Sequence, residues 1–271
     1  MNQLSEFLIN PGTKINLKKI STDYNGNLQK EQSKIDLDEL HLKMSKLQYK
    51  LHAEKKQALL IILQAMDAGG KDGTIRDVMH GFNPQGCKVT SFRAPHEEEI
   101  DHDFLWRVHK KIPAKGEIGI FNRSHYGDVL VVRIHNLVPK KIWSKRYDHI
   151  NDFEKMLSEE GIKILKFYLH ISKNEQQKRL EQRILNPTKH WKIDEADFKE
   201  RKFWAKYMTA YEDVLEKCST PWAPWYVIPS DKKWYRNWLV AQIITKTMID
   251  MKLRFPKSSL DKSKINSLKA S

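Results

Sequence analysis

Residues 58–66, ALLIILQAM, form a continuous apolar run between Lys55-Lys56 and the glycine-containing DAGGKDGT. A run this short, ending abruptly in turn residues, reads as a strand buried on both faces, the kind found inside parallel sheets. Further short strands are expected at 87–92 (CKVTSF), 117–122 (EIGIFN), 163–171 (KILKFYLHI) and 224–229 (PWYVIP). Helical stretches fall between them, at roughly 72–80, 97–111, 139–159, 174–185, 195–217 and 231–252. An earlier helix, 34–55, sets Ile35, Leu37, Leu40, Met44, Leu47 and Leu51 at three- and four-residue steps. Strand, loop and helix repeating in this way predict an α/β three-layer sandwich, a parallel sheet of about five strands covered by helices. One domain spans 1–271, with residues 1–33 a polar extension over the surface and 256–271 a loose, flexible tail.

LQAMDAGGKDGT, residues 63–74, is spelled almost like a phosphate-binding loop. Gly69 and Gly70 allow close backbone approach to an anion. The following helix offers its unpaired N–H groups, and Lys71 can reach over the loop as a point charge. Two positions depart from the usual spelling: Ala65 replaces a glycine, and Asp72 replaces the Ser or Thr that binds Mg²⁺. Asp72 is either a carboxylate substitute for that ligand or a helix N-terminal residue favoured by the dipole. Asp67 is a carboxylate inside a phosphate loop. It should repel phosphate unless Mg²⁺, held by one or two carboxylates plus phosphate oxygens, lies between them.

At the end of the third strand Asn122 occupies the place where P-loop enzymes put a metal-holding acid, and is a weaker, neutral ligand there. Arg123 points into the same crevice as Lys71, because ligands collect at the C-terminal ends of parallel strands. His125 reads as a packed or solvent-facing side chain. Arg107 is a candidate for a nucleotide phosphate, whereas Phe104, Trp106 and the Trp-rich 219–238 read as packing residues. Gln176, Arg179 and Arg183 share one helix face before Asn186-Pro187 breaks it, and Lys189, Trp191 and Lys192 follow. Together with the loop at 65–74, this basic segment (about 175–200) reads as a helical lid that excludes water and neutralises charge.

The net charge of +14 points to a polyanion: nucleic acid, an anionic membrane surface or a polymer of phosphate. A basic enzyme without such a partner is the plain alternative. No apolar stretch has the length of a membrane span, and the N-terminus lacks the order of a signal peptide. Cys87 and Cys218 form no CxxC, which leaves a reducing cytoplasm as the default.

MDAGGKDGT, NPQGCKVTSFRAP, HDFLWR, FNRSHY and NPTKHWK, in this order, resemble the second family of polyphosphate kinases, P-loop enzymes similar in architecture to thymidylate kinase. The resemblance covers about residues 34–252. It implies a P-loop kinase-like fold and phosphoryl transfer between inorganic polyphosphate and nucleotides, with Mg²⁺ or Mn²⁺. It places Asp67 and Lys71 at the transferring phosphate, with Arg123 beside them and Arg179 and Arg183 closing from the lid. Ala68, Gly69, Gly70, Asp72, Gly73, Thr74, Lys189 and Lys192 are then phosphate contacts. Asn83, Arg93, Asp103, Arg107 and Asn122 are nucleotide contacts, and Asp67, Asp72 and Asn122 are the metal candidates. FNRSHY with Asn122 resembles the subgroup acting on both AMP and ADP, with GMP and GDP as further acceptors. That subgroup often carries Glu after the Tyr, where this chain has Gly127 and then Asp128. The resemblance also implies a homo-oligomer, dimer or tetramer, and it accounts for the charge without a nucleic-acid or membrane partner. The alternatives are an ATP-dependent nucleoside or nucleotide kinase, and a basic P-loop protein that binds nucleic acid.

Overall fold

The computed structural model of the chain describes residues 3–257, so most of the tail expected at 256–271 lies outside the described residues. Five parallel strands, β1 (Ala58–Ala65), β2 (Cys87–Ser91), β3 (Ile118–Asn122), β4 (Ile162–His170) and β5 (Trp225–Pro229), form one sheet in the order β2-β3-β1-β4-β5. The apolar run at 58–65 is thus the central strand, and every one of its residues is buried. Alternation along it divides the core. Leu60 and Ile62 face one helical layer, while Leu59, Ile61 and Leu63 face the other.

Six helices of eight residues or more cover the sheet: α1 (Lys30–Glu54), α2 (Lys71–Val78), α3 (Arg146–Glu159), α4 (Lys173–Leu185), α5 (Trp204–Cys218) and α6 (Lys233–Asp250). Ile150 and Phe153 of α3 pack with Tyr211 and Val214 of α5 on one face. Leu40, Met44 and Leu51 of α1 pack with Leu239 and Ile243 of α6 on the other. Ile35, expected on the buried face of α1, is exposed, and Ser33 and Gln48 are buried instead. Among the described residues no helix is long and apolar enough to cross a membrane.

Three expected helices are interrupted. The segment 97–111 splits into Glu97–Ile100 and Trp106–His109, because the Asp103 carboxylate accepts from Leu105 N (2.9 Å) and competes with the helix ladder. The segment 139–159 splits at Ser144-Lys145, and 195–217 splits at a 3₁₀ turn, Arg201–Phe203. Phe104 packs against the core as expected, but Trp106 does not. It is half-buried outside the core cluster and stacks on the exposed His102 at 4.0 Å. The N-terminal extension is less peripheral than its polarity suggests. Ile9 N donates to Trp225 O (2.9 Å), Leu8 bridges Tyr226, and Phe7, Ile9 and Leu17 are buried, so the extension covers the edge strand β5.

The sheet also buries a charge. Lys166, fully buried on β4, donates to Glu154 of α3, to Tyr126 Oη (2.8 Å) and to Cys218 O (2.6 Å). Tyr126 Oη donates in turn to Glu154 Oε1 (2.9 Å), and His125 Nε2 lies 3.2 Å from the same oxygen. Burial alone would push the Glu154 carboxyl up, but Lys166 and His125 hold it below the usual range. Removing one member strands the other charge. Lys166→Met should therefore lower stability by about 3–5 kcal/mol, read as a lower urea midpoint, and adding Glu154→Gln should recover part of the loss.

Candidate active site

β1 ends at Ala65, and the chain turns through Met66–Gly70 into α2. Ala68 (φ 56°) and Gly70 (φ 107°) are left-handed. At Gly69 a Cβ would lie 2.6 Å from the Ala65 Cβ and 2.7 Å from Met66 O, so only glycine permits this turn. The carbonyls of the loop are all held from behind. Lys71 Nζ donates to Ala65 O (3.0 Å) and Met66 O (3.4 Å), and Gln176 Nε2 donates to Asp67 O (2.8 Å). Arg179 Nη1 donates to Ala68 O (3.1 Å) and Gly69 O (3.2 Å). With the carbonyls drawn back, the first-turn N–H groups of Lys71, Asp72 and Gly73 lead the helix without intrahelical acceptors, the arrangement that receives an anion.

The side chains around the loop bring together most of the residues expected there. β3 lies beside β1, with Asn122 paired in register to Leu63. Arg123 is left-handed (φ 62°), and its N–H donates to Leu63 O (3.1 Å). Its guanidinium donates to Asp67 Oδ1 (3.3 Å) and is half exposed, while Asn122 Nδ2 donates to Asp72 Oδ1 (2.8 Å). Burial pushes the Lys71 ammonium down to about 8, with Asp67 opposing that shift.

Some expected residues take other positions. Thr74 is fully buried, its N–H is bonded to Gly70 O (2.9 Å), and its Oγ1 has no partner among the described residues. Arg179 does not hang from a lid. It is buried, and besides the loop carbonyls it donates to Ser230 O (2.6 Å), Asp231 O (3.1 Å) and Glu175 (2.8 Å), which leaves no N–H free for a phosphate. Arg183 is folded back onto Asp197 (2.6 Å) and Lys192 O (3.2 Å). Lys189 and Lys192 lie on the turn Pro187–Lys192.

Of the nucleotide candidates, Arg107 donates to Arg93 O (2.9 Å) and Glu99 (3.1 Å), so Arg93 and Arg107 are neighbours. Asp103 caps its own turn. Asn83 precedes β2 at the sheet end opposite the loop, where its backbone pairs with the Gln48 amide (2.6 and 2.8 Å). That placement makes it a brace to α1. Asp128, beside Gly127, is paired with Arg146 (3.1 Å).

Asp197 went unnoticed in the sequence. It lies one turn after Asp194, which caps a helix start by accepting from Ala196 N, and no local pattern distinguishes it from the acids of a helix's first turn. Burial and the nearby Asp67 carboxylate raise its pKa despite Arg183. Among the described residues no three His, Cys, Asp or Glu side chains gather into a metal cluster. The carboxylates at the loop, Asp67 and Asp72, suit an ion that arrives with phosphate oxygens, as Mg²⁺ commonly does.

The polyphosphate kinase 2 family model matches residues 27–256. An AMP/ADP-polyphosphate phosphotransferase from Meiothermus ruber is 48% identical over 264 residues, covering 97% of this chain and 99% of that protein. An ADP-polyphosphate phosphotransferase from Rhodopseudomonas palustris is 42% identical, covering 94% and 92%. The crystal structure of polyphosphate kinase 2 from Arthrobacter aurescens superposes with a TM-score of 0.93 at 40% identity, covering 97% of this chain and 95% of that one.

A phosphate ligand needs Lys71 charged. Its lowered pKa makes it charged below about 8 and progressively neutral above. Affinity for inorganic tripolyphosphate, measured by calorimetry, should therefore hold below pH 8 and fall as pH rises through it. In Lys71→Arg the fall should vanish, because guanidinium stays protonated.

Proposed function

The chain belongs to the polyphosphate kinase 2 family, and on that premise we propose that it transfers the terminal phosphoryl group of inorganic polyphosphate to AMP and to ADP, giving ADP and ATP, reversibly. The observation that carries this reading is the loop of forward-facing N–H groups between Lys71 and Arg123, in a chain alike end to end with a relative named for both acceptors. An oxygen of the nucleotide's terminal phosphate attacks the terminal phosphorus. The bridging P–O bond breaks, and the donor leaves one phosphate shorter with the charge on its new terminal oxygen. One phosphoanhydride is exchanged for another, which is why the reaction runs both ways.

The acceptor oxygen is ionised near neutral pH, so positioning and charge neutralisation carry the rate. The first-turn N–H groups of α2 hold the transferring group, joined by the one Lys71 N–H not given to Ala65 O and Met66 O, and Arg123 faces the charge that spreads over its oxygens. Arg183 reaches the same oxygens on leaving Asp197. Arg179 contributes by fixing the loop. Asp67, with Asp72 beside it, would hold Mg²⁺ or Mn²⁺, which when bound supplies further neutralisation of the phosphate oxygens. Arg93, Arg107 and Asn122 are proposed to face the nucleotide. The two free cysteines, Cys87 and Cys218, suit a cytoplasmic setting.

Incubation with long-chain polyphosphate, Mg²⁺ and AMP, without ATP, should yield ADP and then ATP by chromatography, and Lys71→Ala should abolish both. ATP from ADP but no product from AMP would restrict the enzyme to diphosphates, and no product from either would sink the proposal. A Cβ at Gly127 meets nothing within 4 Å, so Gly127→Glu should fold normally and raise kcat/KM for AMP relative to ADP.

A further inference from the structure

Arg236, on the first turn of α6, is buried to 1% exposure directly behind the phosphate loop. Its Nε and Nη2 both donate to the neighbouring Asn237 Oδ1 (3.0 and 2.8 Å), and its Nη1 has no partner. It has no ion pair. The carboxylate nearest in the network, Asp77, is reached only through the Asn237 amide (2.9 Å) and already pairs with Arg76. Nη1 lies against Gly70, where any Cβ would collide with the guanidinium, and Arg179 Nη1 is 3.5 Å from the same point. Two guanidiniums therefore converge behind one peptide of the loop. Burial and Arg179 together push Arg236 down to about 9, with Asp77 opposing only in part. A buried, unpaired cation is costly to the free protein and has to be repaid elsewhere.

The cations of the site are not balanced alike on its two sides. On the β3 side Arg123 pairs with Asp67, Arg107 with Glu99, and Arg146 with Asp128. On the β4–β5 side Arg179 pairs with Glu175 and Arg183 with Asp197, but Arg236, Lys233 and Lys189 have no carboxylate ion pair among the described residues, and Lys233 feels Arg179, Arg236 and Lys189 with only Glu175 opposing. The unbalanced side suits the more highly charged ligand, a chain with about one negative charge per phosphate, better than a nucleotide.

Resting on the polyphosphate reading above, we propose that Arg236 is a positioning residue for the polyphosphate donor. It acts through Gly70 as an uncompensated charge behind the loop, destabilising the free protein and strengthening its hold on the donor.

The test is Arg236→Met. Thermal midpoints are measured with and without sodium tripolyphosphate, and KM is measured separately for polyphosphate and AMP. The inference expects a midpoint in buffer no lower than that of the parent protein and a smaller upward shift with tripolyphosphate. KM for polyphosphate should rise about tenfold, the order expected for one charge acting across a partly screened site. KM for AMP should be unchanged, and Arg236→Lys should restore most of the polyphosphate affinity. An equal tripolyphosphate shift in parent and variant, or KM values rising together for both substrates, overturns it. Should Arg236→Met melt lower, Arg236→Gln decides: a rise in KM for polyphosphate alone upholds the inference, and an unchanged value overturns it. A parent protein that tripolyphosphate does not stabilise sinks the polyphosphate reading itself, whereas a parent that responds beside a variant that responds equally sinks only the role of Arg236.

Discussion

The site depends on which way six peptide groups point. A loop between a strand and a helix can present carbonyls or N–H groups to its ligand, and only the second attracts phosphate. Here Lys71, Gln176 and Arg179 take the carbonyls of Ala65 through Gly69 from behind, and the helix takes that of Gly70. Arg179 extends the hold to Ser230 and Asp231 just beyond β5, so the loop is braced across the C-terminal ends of three strands. The brace exists only because the parallel order β1-β4-β5 brings those ends together. The preorganisation that phosphoryl transfer requires is therefore built by the same side chains that hold the loop to the sheet.

That division of labour explains what was legible in the sequence. The strands were, to within a residue: β1 and β4 because a run buried on both faces has no polar period to blur it, and the exposed edge strand β2 because turn residues bound it. Gly69, Gly70 and Lys71 were legible because their chemistry is local. Arg179 was legible as a cation at the site, but its task was not, since its acceptors are carbonyls from segments as many as 111 residues away. The short helices 97–100 and 106–109 were lost because Asp103 supplies a local alternative that hydrophobic spacing does not register. Lys166 carried a usable signal, a charge inside ILKFYLH, which a buried strand tolerates only with a partner; nothing local identified that partner as Glu154. Asn83 shows the opposite error. Its motif is ordered with the others along the chain, but the direction of β2 puts it at the far end of the sheet.

The buried cluster beneath β3 connects the scaffold to the reaction. Arg123 holds a left-handed backbone conformation that side chains with a Cβ rarely adopt, so neighbouring structure has to fix it. The next residues do so. Ser124 Oγ accepts from Gln64 (3.1 Å) and caps the turn, and His125 and Tyr126 are anchored on Glu154, itself neutralised by Lys166. A half-exposed arginine with a flexible stem is a poor electrostatic tool unless its Cα is immobile, and this network immobilises it.

The carboxylates facing the site complete the reasoning. Asp67, Asp72 and Asp197 already have donors, in Arg123, Asn122 and Arg183. In the free protein these pairs keep three acids beside a phosphate loop without self-repulsion severe enough to distort it. A polyphosphate end offers the same donors far more negative charge than one carboxylate does, so on the proposed reading the arginines move to phosphate. The carboxylates so released, Asp67 and Asp72 first, would be free to hold a divalent cation, which would neutralise phosphate oxygens. Asp67 and Asp197 are close enough that burial and mutual repulsion raise the Asp197 pKa, and that repulsion grows when Arg183 leaves. On that reading donor and cation would be favoured together and disfavoured singly, a coupling that follows from charge balance.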